Sequence, residues 1–393
     1  MLKALKKPNS KPEAATKFLK RYDYIDALRG IAIIGVLLAH AGLYSSIAYP
    51  HWLQSFAEIN VGPRGVQLFY VVSAFTLCVS FSKRKNFEKH TTLNFYIRRF
   101  FRIAPLFYLA VIFYLWQQNY WTTNPYHFSL LNILTTFTFT NGVSPAFINN
   151  IVFGGWSIAI ESTFYLLFPL LFYVFTKLKT IKAALIFTLI IAIAMQILRL
   201  YLLTIPMIQR NPDLQTYTFQ FFPSQLPVFL IGIVTFFFMH TENINRYKKF
   251  MTFFFLGIAV LMVMQIISPF KLIAGHYMYG LIFGLLLFFL SKFPVKLLVN
   301  RITIYIGKIS FSLYLCHVAV IYWLSNFGLN NYLPANPYLN FILRFIILLG
   351  FSSIVASILF FTVEQGFISL GKKIIDRHEK NSPSYTSVAV RTW

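Results

Sequence analysis

Residues 183–204 read AALIFTLIIAIAMQILRLYLLT, with one charge, Arg199, near the end of the run. A bilayer core takes about 20 apolar residues in a helix, and this stretch supplies them. Nine further runs of the same kind lie at 27–46, 64–82, 100–117, 156–176, 222–239, 250–268, 272–291, 303–324 and 339–362. Together they predict an all-α, polytopic integral membrane protein of about ten transmembrane helices. Composition points the same way: 57% of the chain is hydrophobic and 12% charged, with a mean hydropathy of +0.64. Soluble domains carry about 25% charged residues, so an ordinary soluble enzyme is excluded. No low-complexity repeat, G-X-Y period or sustained heptad is present, which excludes disorder, collagen and coiled coil.

The charge is lopsided, with 35 Lys and Arg against 11 Asp and Glu, a formal +24. In a soluble chain this would suggest nucleic acid; here membrane topology accounts for it, and no nucleic-acid partner is expected. Twenty-nine basic residues fall in alternate segments: 1–21, 83–102, 177–182, 246–249, 292–308 and the tail after 362. The other side holds only Arg64, Arg199, Arg210 and Lys271. The positive-inside rule then puts both termini in the cytoplasm, with residues 27–46 as a signal anchor. A basic N-terminal segment, 1–21, precedes the membrane-embedded part, 22–366, and a basic tail, 367–393, follows it. Residues 128–140, FSLLNILTTFTFT, are shorter than a span and are expected to form an interfacial or re-entrant piece of the external loop 118–155. Cys78 and Cys316 both sit inside apolar runs and predict neither a disulfide framework nor a metal site.

Ionisable side chains inside membrane helices are costly and mark functional candidates. The first run carries Asp26, Arg29 and His40. Asp26 and Arg29 are three apart and close enough to pair. His40 returns to within about 20° of the Arg29 face, roughly 16 Å further along the axis. Arg99 and Arg102 open the third run as i,i+3 neighbours, two forks suited to phosphate groups, although any cytoplasmic helix end collects arginines. Glu161 lies below Trp156 in the fourth run and requires a basic or hydroxyl partner or a wet cavity, with Tyr165 a turn deeper on its face. Ser310, Tyr314 and His317 form one polar stripe, as Ser73 does alone in the second run; such stripes commonly just hold helices together. Glu364 is expected to pair with Lys372 or Lys373. G-x-S-x-G, Walker A, H-E-x-x-H, CxxC and GxGxxG motifs are all missing from the sequence, so serine-hydrolase, P-loop and zinc readings lack support.

Taken in order, these segments resemble the acyltransferase-3 family of bacterial integral-membrane acyltransferases, which includes O-antigen and exopolysaccharide O-acetyltransferases. The R-x10-H pattern falls on Arg29 and His40, with Asp26 ahead of it and Gly30 after the arginine; R-x-x-R falls on Arg99 and Arg102. W-S-x-x-x-E-x-x-F-Y falls on Trp156, Ser157, Glu161, Phe164 and Tyr165, and S-[YF]-x-x-Y-L-x-H on Ser310, Phe311, Tyr314, Leu315 and His317. The chain departs from the family at Ala27 and Ala74, where glycines are usual, and at Gly366, where a proline is usual.

The resemblance implies a multi-pass protein of the bacterial cytoplasmic membrane. It would move an acyl group, most simply acetyl, from cytoplasmic acyl-CoA to a hydroxyl of an extracytoplasmic carbohydrate or lipid-linked glycan. Acetyl-CoA is then a donor substrate, with no permanently bound cofactor and no metal. His40 and Glu161 become the catalytic candidates: His40 as general base or as an acylated nucleophile, Glu161 orienting the acceptor or steadying His40. Arg29, Arg99 and Arg102 become acyl-CoA-binding candidates. Asp26, Ser73, Trp156, Tyr165, Tyr314 and His317 become supporting residues, with Ser73, Tyr165 or Tyr314 as oxyanion donors. The alternative is a transporter or flippase without chemistry, since buried Arg, His and Glu also serve carriers, although no inverted repeat is visible.

Overall fold

The computed structural model describes residues 22–45, 47, 49–54, 62–149, 151–240, 274–329 and 331–380. Among the described residues the regular structure is entirely helical. In chain order the principal helices are α1 (Asp23–His40), α2 (Gly62–Arg84), α3 (Thr91–Gln117), α4 (Leu130–Phe137), α5 (Gly155–Lys177) and α6 (Ile181–Thr204). After these come α7 (Phe222–Met239), α8 (Gly275–Lys292), α9 (Arg301–Lys308), α10 (Ser310–Asn326), α11 (Pro337–Leu359) and α12 (Gln365–Lys380).

Seven described helices are long and apolar enough to cross a membrane, and α9 with α10, a pair bent by 80°, makes up to eight. α1 falls outside that test because Asp23, Asp26 and Arg29 crowd its first half. The expected span at 250–268 lies outside the described residues. α4 has eight residues, about 12 Å of helix, so 128–140 is not a further span. Ser129 caps it by accepting from the Asn132 N–H at 3.2 Å.

α2 and α7 are buried on nearly every side and form the centre of the bundle. α6 and α11 lie at the rim and expose rows of isoleucines, Ile186, Ile190, Ile193 and Ile197 on one and Ile342, Ile346, Ile354 and Ile358 on the other. Exposed apolar rows on the outside of a helical bundle are what hydrocarbon surroundings select.

The first run ends earlier than its hydropathy suggested. α1 ends at His40, and in the turn that follows Arg344 of α11 donates from Nε to the Ala41 carbonyl at 2.8 Å and from Nη2 to the Leu43 carbonyl. A guanidinium thereby satisfies groups that a helix end leaves open.

Two glycines set the position of Arg29. α1 and the short α9 cross so closely that a Cβ on Gly30 would strike the Thr303 carbonyl, and one on Gly307 the Asp26 carbonyl. α9 is started by a capping box in which Asn300 accepts from the Ile302 and Thr303 N–H groups, both at 3.0 Å. The bend into α10 follows at once and turns Ser310 and Tyr314 toward α5.

α11 passes through one π-turn, Phe360–Glu364, into α12. The helix therefore continues across the boundary expected at 366. α12 packs Gly371 against Phe101 of α3, and Glu379 accepts from the Lys89 and His90 N–H groups at 3.2 Å and from Asn94 Nδ2 at 2.6 Å. Residues 367–380 are thus docked on the bundle, and the rest of the expected tail lies outside the described residues.

Candidate active site

The site starts at the N-terminus of α5. Gly154 sits at φ 73°, a left-handed conformation that glycine adopts without cost. Its carbonyl accepts from Tyr314 Oη at 2.9 Å and from Ser157 Oγ at 3.0 Å, and the two hydroxyls are 2.7 Å apart. A Cβ at this position would come within 2.6 Å of Tyr314 Oη. The knot ties α10 to the start of α5.

One turn deeper, Glu161 Oε1 accepts from Ser73 Oγ and Tyr165 Oη, both at 2.5 Å. Two hydroxyls from two helices thus satisfy a carboxylate in an apolar bundle. Ser73, Tyr165 and Tyr314 each have one O–H, and each directs it to Glu161 or to the Gly154 carbonyl. In this arrangement none of the three has a proton spare for an oxyanion.

Three guanidiniums face the same cavity. Arg29, Arg99 and Arg102 line it together with Ser73, Glu161 and Tyr314. Its volume is about 80 Å³, room for a few waters or the tip of a thin substrate arm. Arg29 lies 3.7 Å from Asp26, as their spacing predicts. Arg102 lies 3.7 Å from Glu364, whose other oxygen accepts from Ser312 at 2.9 Å. This corrects the partner expected for Glu364: the π-turn aims it inward, it is 1% exposed, and Arg102 takes the place given to Lys372 or Lys373. Arg99 lies over the Tyr165 ring at 5.6 Å, and its buried Nε has no hydrogen-bond partner among the described residues. Neighbouring Arg98 is committed elsewhere, to both oxygens of Glu88 at 2.7 and 3.0 Å. Of the basic run at 98–102, then, only the i,i+3 pair turns inward.

The histidines form a second layer. His40 Nδ1 lies 2.9 Å from His317 Nε2, with the ring planes 16° apart. His317 Nδ1 lies 2.7 Å from the Tyr314 carbonyl. A carbonyl can only accept, so His317 carries its proton on Nδ1. When both rings are neutral, His317 Nε2 is then bare and accepts from His40 Nδ1–H, leaving His40 Nε2 with a free lone pair. Glu161 was expected to orient the acceptor or to steady His40; among the described contacts it reaches Ser73 and Tyr165, and His317 is the residue bonded to the His40 imidazole. Neither histidine lines the cavity. Tyr314 joins the layers, since it lines the cavity and lies 5.7 Å from the His317 ring. Trp156 is half-buried behind Tyr70, 6.4 Å from its ring.

The Ser312–Glu364–Arg102 link and the Gly154 knot were not read from the sequence. Gly154 leaves a faint signal, a glycine pair just ahead of Trp156. The Glu364 link leaves none, because its partners come from helices far apart in the chain.

Fold and site together define a multi-pass membrane protein whose apolar bundle encloses a cationic cavity and a coupled imidazole pair. The family model described as an acyltransferase domain matches residues 22–361, and the chain belongs to this acyltransferase-3 family. No curated protein and no solved structure matches it.

Proposed function

We propose that the protein is an O-acyltransferase of the bacterial cytoplasmic membrane that moves an acetyl group from acetyl-CoA to a hydroxyl of an extracytoplasmic glycan. Family membership supports acyl transfer; the observation that carries the finer reading is the relay from the Tyr314 carbonyl through His317 to His40. It supports His40 Nε2 as a base with its tautomer preset. The hydroxyl proton passes to His40 Nε2 as the alcohol oxygen bonds to the acyl carbon. The carbon–sulfur bond then breaks, the ester forms, and the imidazolium returns its proton to the CoA thiolate. Arg29, Arg99 and Arg102 hold the anionic donor, consistent with the basic segment 83–102 being cytoplasmic. Ser73 and Tyr165 keep Glu161 in place on the cavity wall.

Purified protein is incubated with radiolabelled acetyl-CoA and surface polysaccharide. Label recovered on the glycan as an alkali-labile ester supports the proposal. Glycan movement across vesicles without label identifies a carrier instead.

A further inference from the structure

A second polar group stands apart from the cavity, where α2, α7 and α8 begin and α6 ends. Arg64, Gln67, Gln196, Arg199 and Gln225 each bury a polar atom that has no hydrogen-bond partner among the described residues. Such atoms are rare in folded proteins and call for an explanation. Gln67 and Gln225 are 1% and 0% exposed, so bulk solvent does not reach them.

Two hydrogen bonds run through this region. Arg64 donates to Gln67 Oε1 at 3.1 Å and lies 4.1 Å over the Tyr279 ring. His276, beside Tyr277, bonds through Nε2 to the Ser224 carbonyl at 2.9 Å, and it is within electrostatic reach of both Arg64 and Arg199. No described Asp or Glu forms an ion pair with either arginine. Three of these atoms are donors, on Arg64, Arg199 and Gln67, and two are amide oxygens, on Gln196 and Gln225; with both guanidiniums charged, the group is net positive. The N-terminal ends of three helices add to that field.

Arg64 and Arg199 are also two of only four basic residues that the alternating charge pattern leaves on the external side. An aromatic row connects the group to the cavity: Phe219 lies 5.2 Å from His276, Trp156 6.2 Å from Phe219, and Tyr70, a cavity wall residue, 6.4 Å from Trp156.

We propose that this group binds the anionic substituent, carboxylate or phosphate, of an acidic glycan, with its sugar ring lying along Trp156. Naming that glycan as the acceptor rests on the acyl-transfer reading; the binding itself does not. The test titrates full-length protein, saturated with CoA, with oligogalacturonate and with its carboxyl-reduced neutral counterpart. The acidic form should bind at least about tenfold tighter, the effect of one lost charge-assisted contact. Arg64→Gln and Arg199→Gln should each abolish that preference while CoA affinity stays as in the wild type. Equal affinity of the two oligosaccharides in the wild type overturns the proposal without recourse to a variant, as does a preference that survives both substitutions. Galacturonate and glucose 1-phosphate are then used as competitors; whichever displaces the oligosaccharide names the anion, and displacement by neither also overturns the proposal. A preserved acid preference with no acyl transfer to any glycan sinks the acyl-transfer reading and leaves this one standing.

Discussion

His317 Nδ1 faces the carbonyl one turn back at Tyr314, Nε2 faces the His40 ring, and the Tyr314 ring lies beside it. Its side chain does not line the cavity and bonds to His40, so it is a positioning residue. His317→Gln should lower kcat about 10- to 100-fold, the cost of losing an outer partner of a working imidazole. It should leave the KM for acetyl-CoA unchanged and displace the pH profile of kcat; an unmoved profile would reduce His317 to packing. The arginines belong to the other half of the reaction. Arg99→Ala combined with Arg102→Ala should raise the Kd for CoA about 10²- to 10⁴-fold, two charged contacts at about 1.5–3 kcal/mol each. Titration calorimetry checks this, and unchanged affinity would make the two residues topology markers. The sequence exposed both groups because ionisable residues stand out among apolar ones. It did not show that His40 and His317, 277 positions apart, are hydrogen-bonded to each other. Periodicity places a residue on a face but says nothing of what the face meets.

At the scale of elements, the crossing of α1 and α9 carries the proposed donor site, because Gly30 and Gly307 let the two backbones touch beside Arg29 and Asp26. Gly307→Ala should push the helices apart at a cost beyond the ~1–3 kcal/mol of ordinary overpacking, since the obstacle is backbone. Thermal unfolding in detergent should show the loss, and a variant as stable as the wild type would contradict the crossing. Gly350, which a Cβ would leave free of contacts, serves as the control. Apolar runs located most of the helices. They overestimated α1 at its far end, because the residues after His40 are apolar while Arg344 of another helix caps the turn. They also stopped α11 near 362, because α12 is amphipathic and lies against the bundle instead of crossing it.

For the whole molecule, the alternating basic segments and the exposed isoleucine rows describe a bundle sorted by side of the membrane. In the proposed reaction, donor and acceptor arrive from opposite faces, which suits a donor made in the cytoplasm. Alkaline phosphatase, active only after export, should be silent when fused after Lys380 and active when fused into the 118–155 loop. The reverse pattern would invert the bundle and place the arginine cavity on the wrong side for CoA.

The most direct measurement is acyl transfer by His40→Ala, purified and shown to bind CoA as the wild type does. Transfer of label from acetyl-CoA to glycan should fall by about 10²- to 10⁴-fold, the range a positioned general base supplies. Transfer at near wild-type rates by that variant would remove His40 from the chemistry and with it the mechanism built on the imidazole pair.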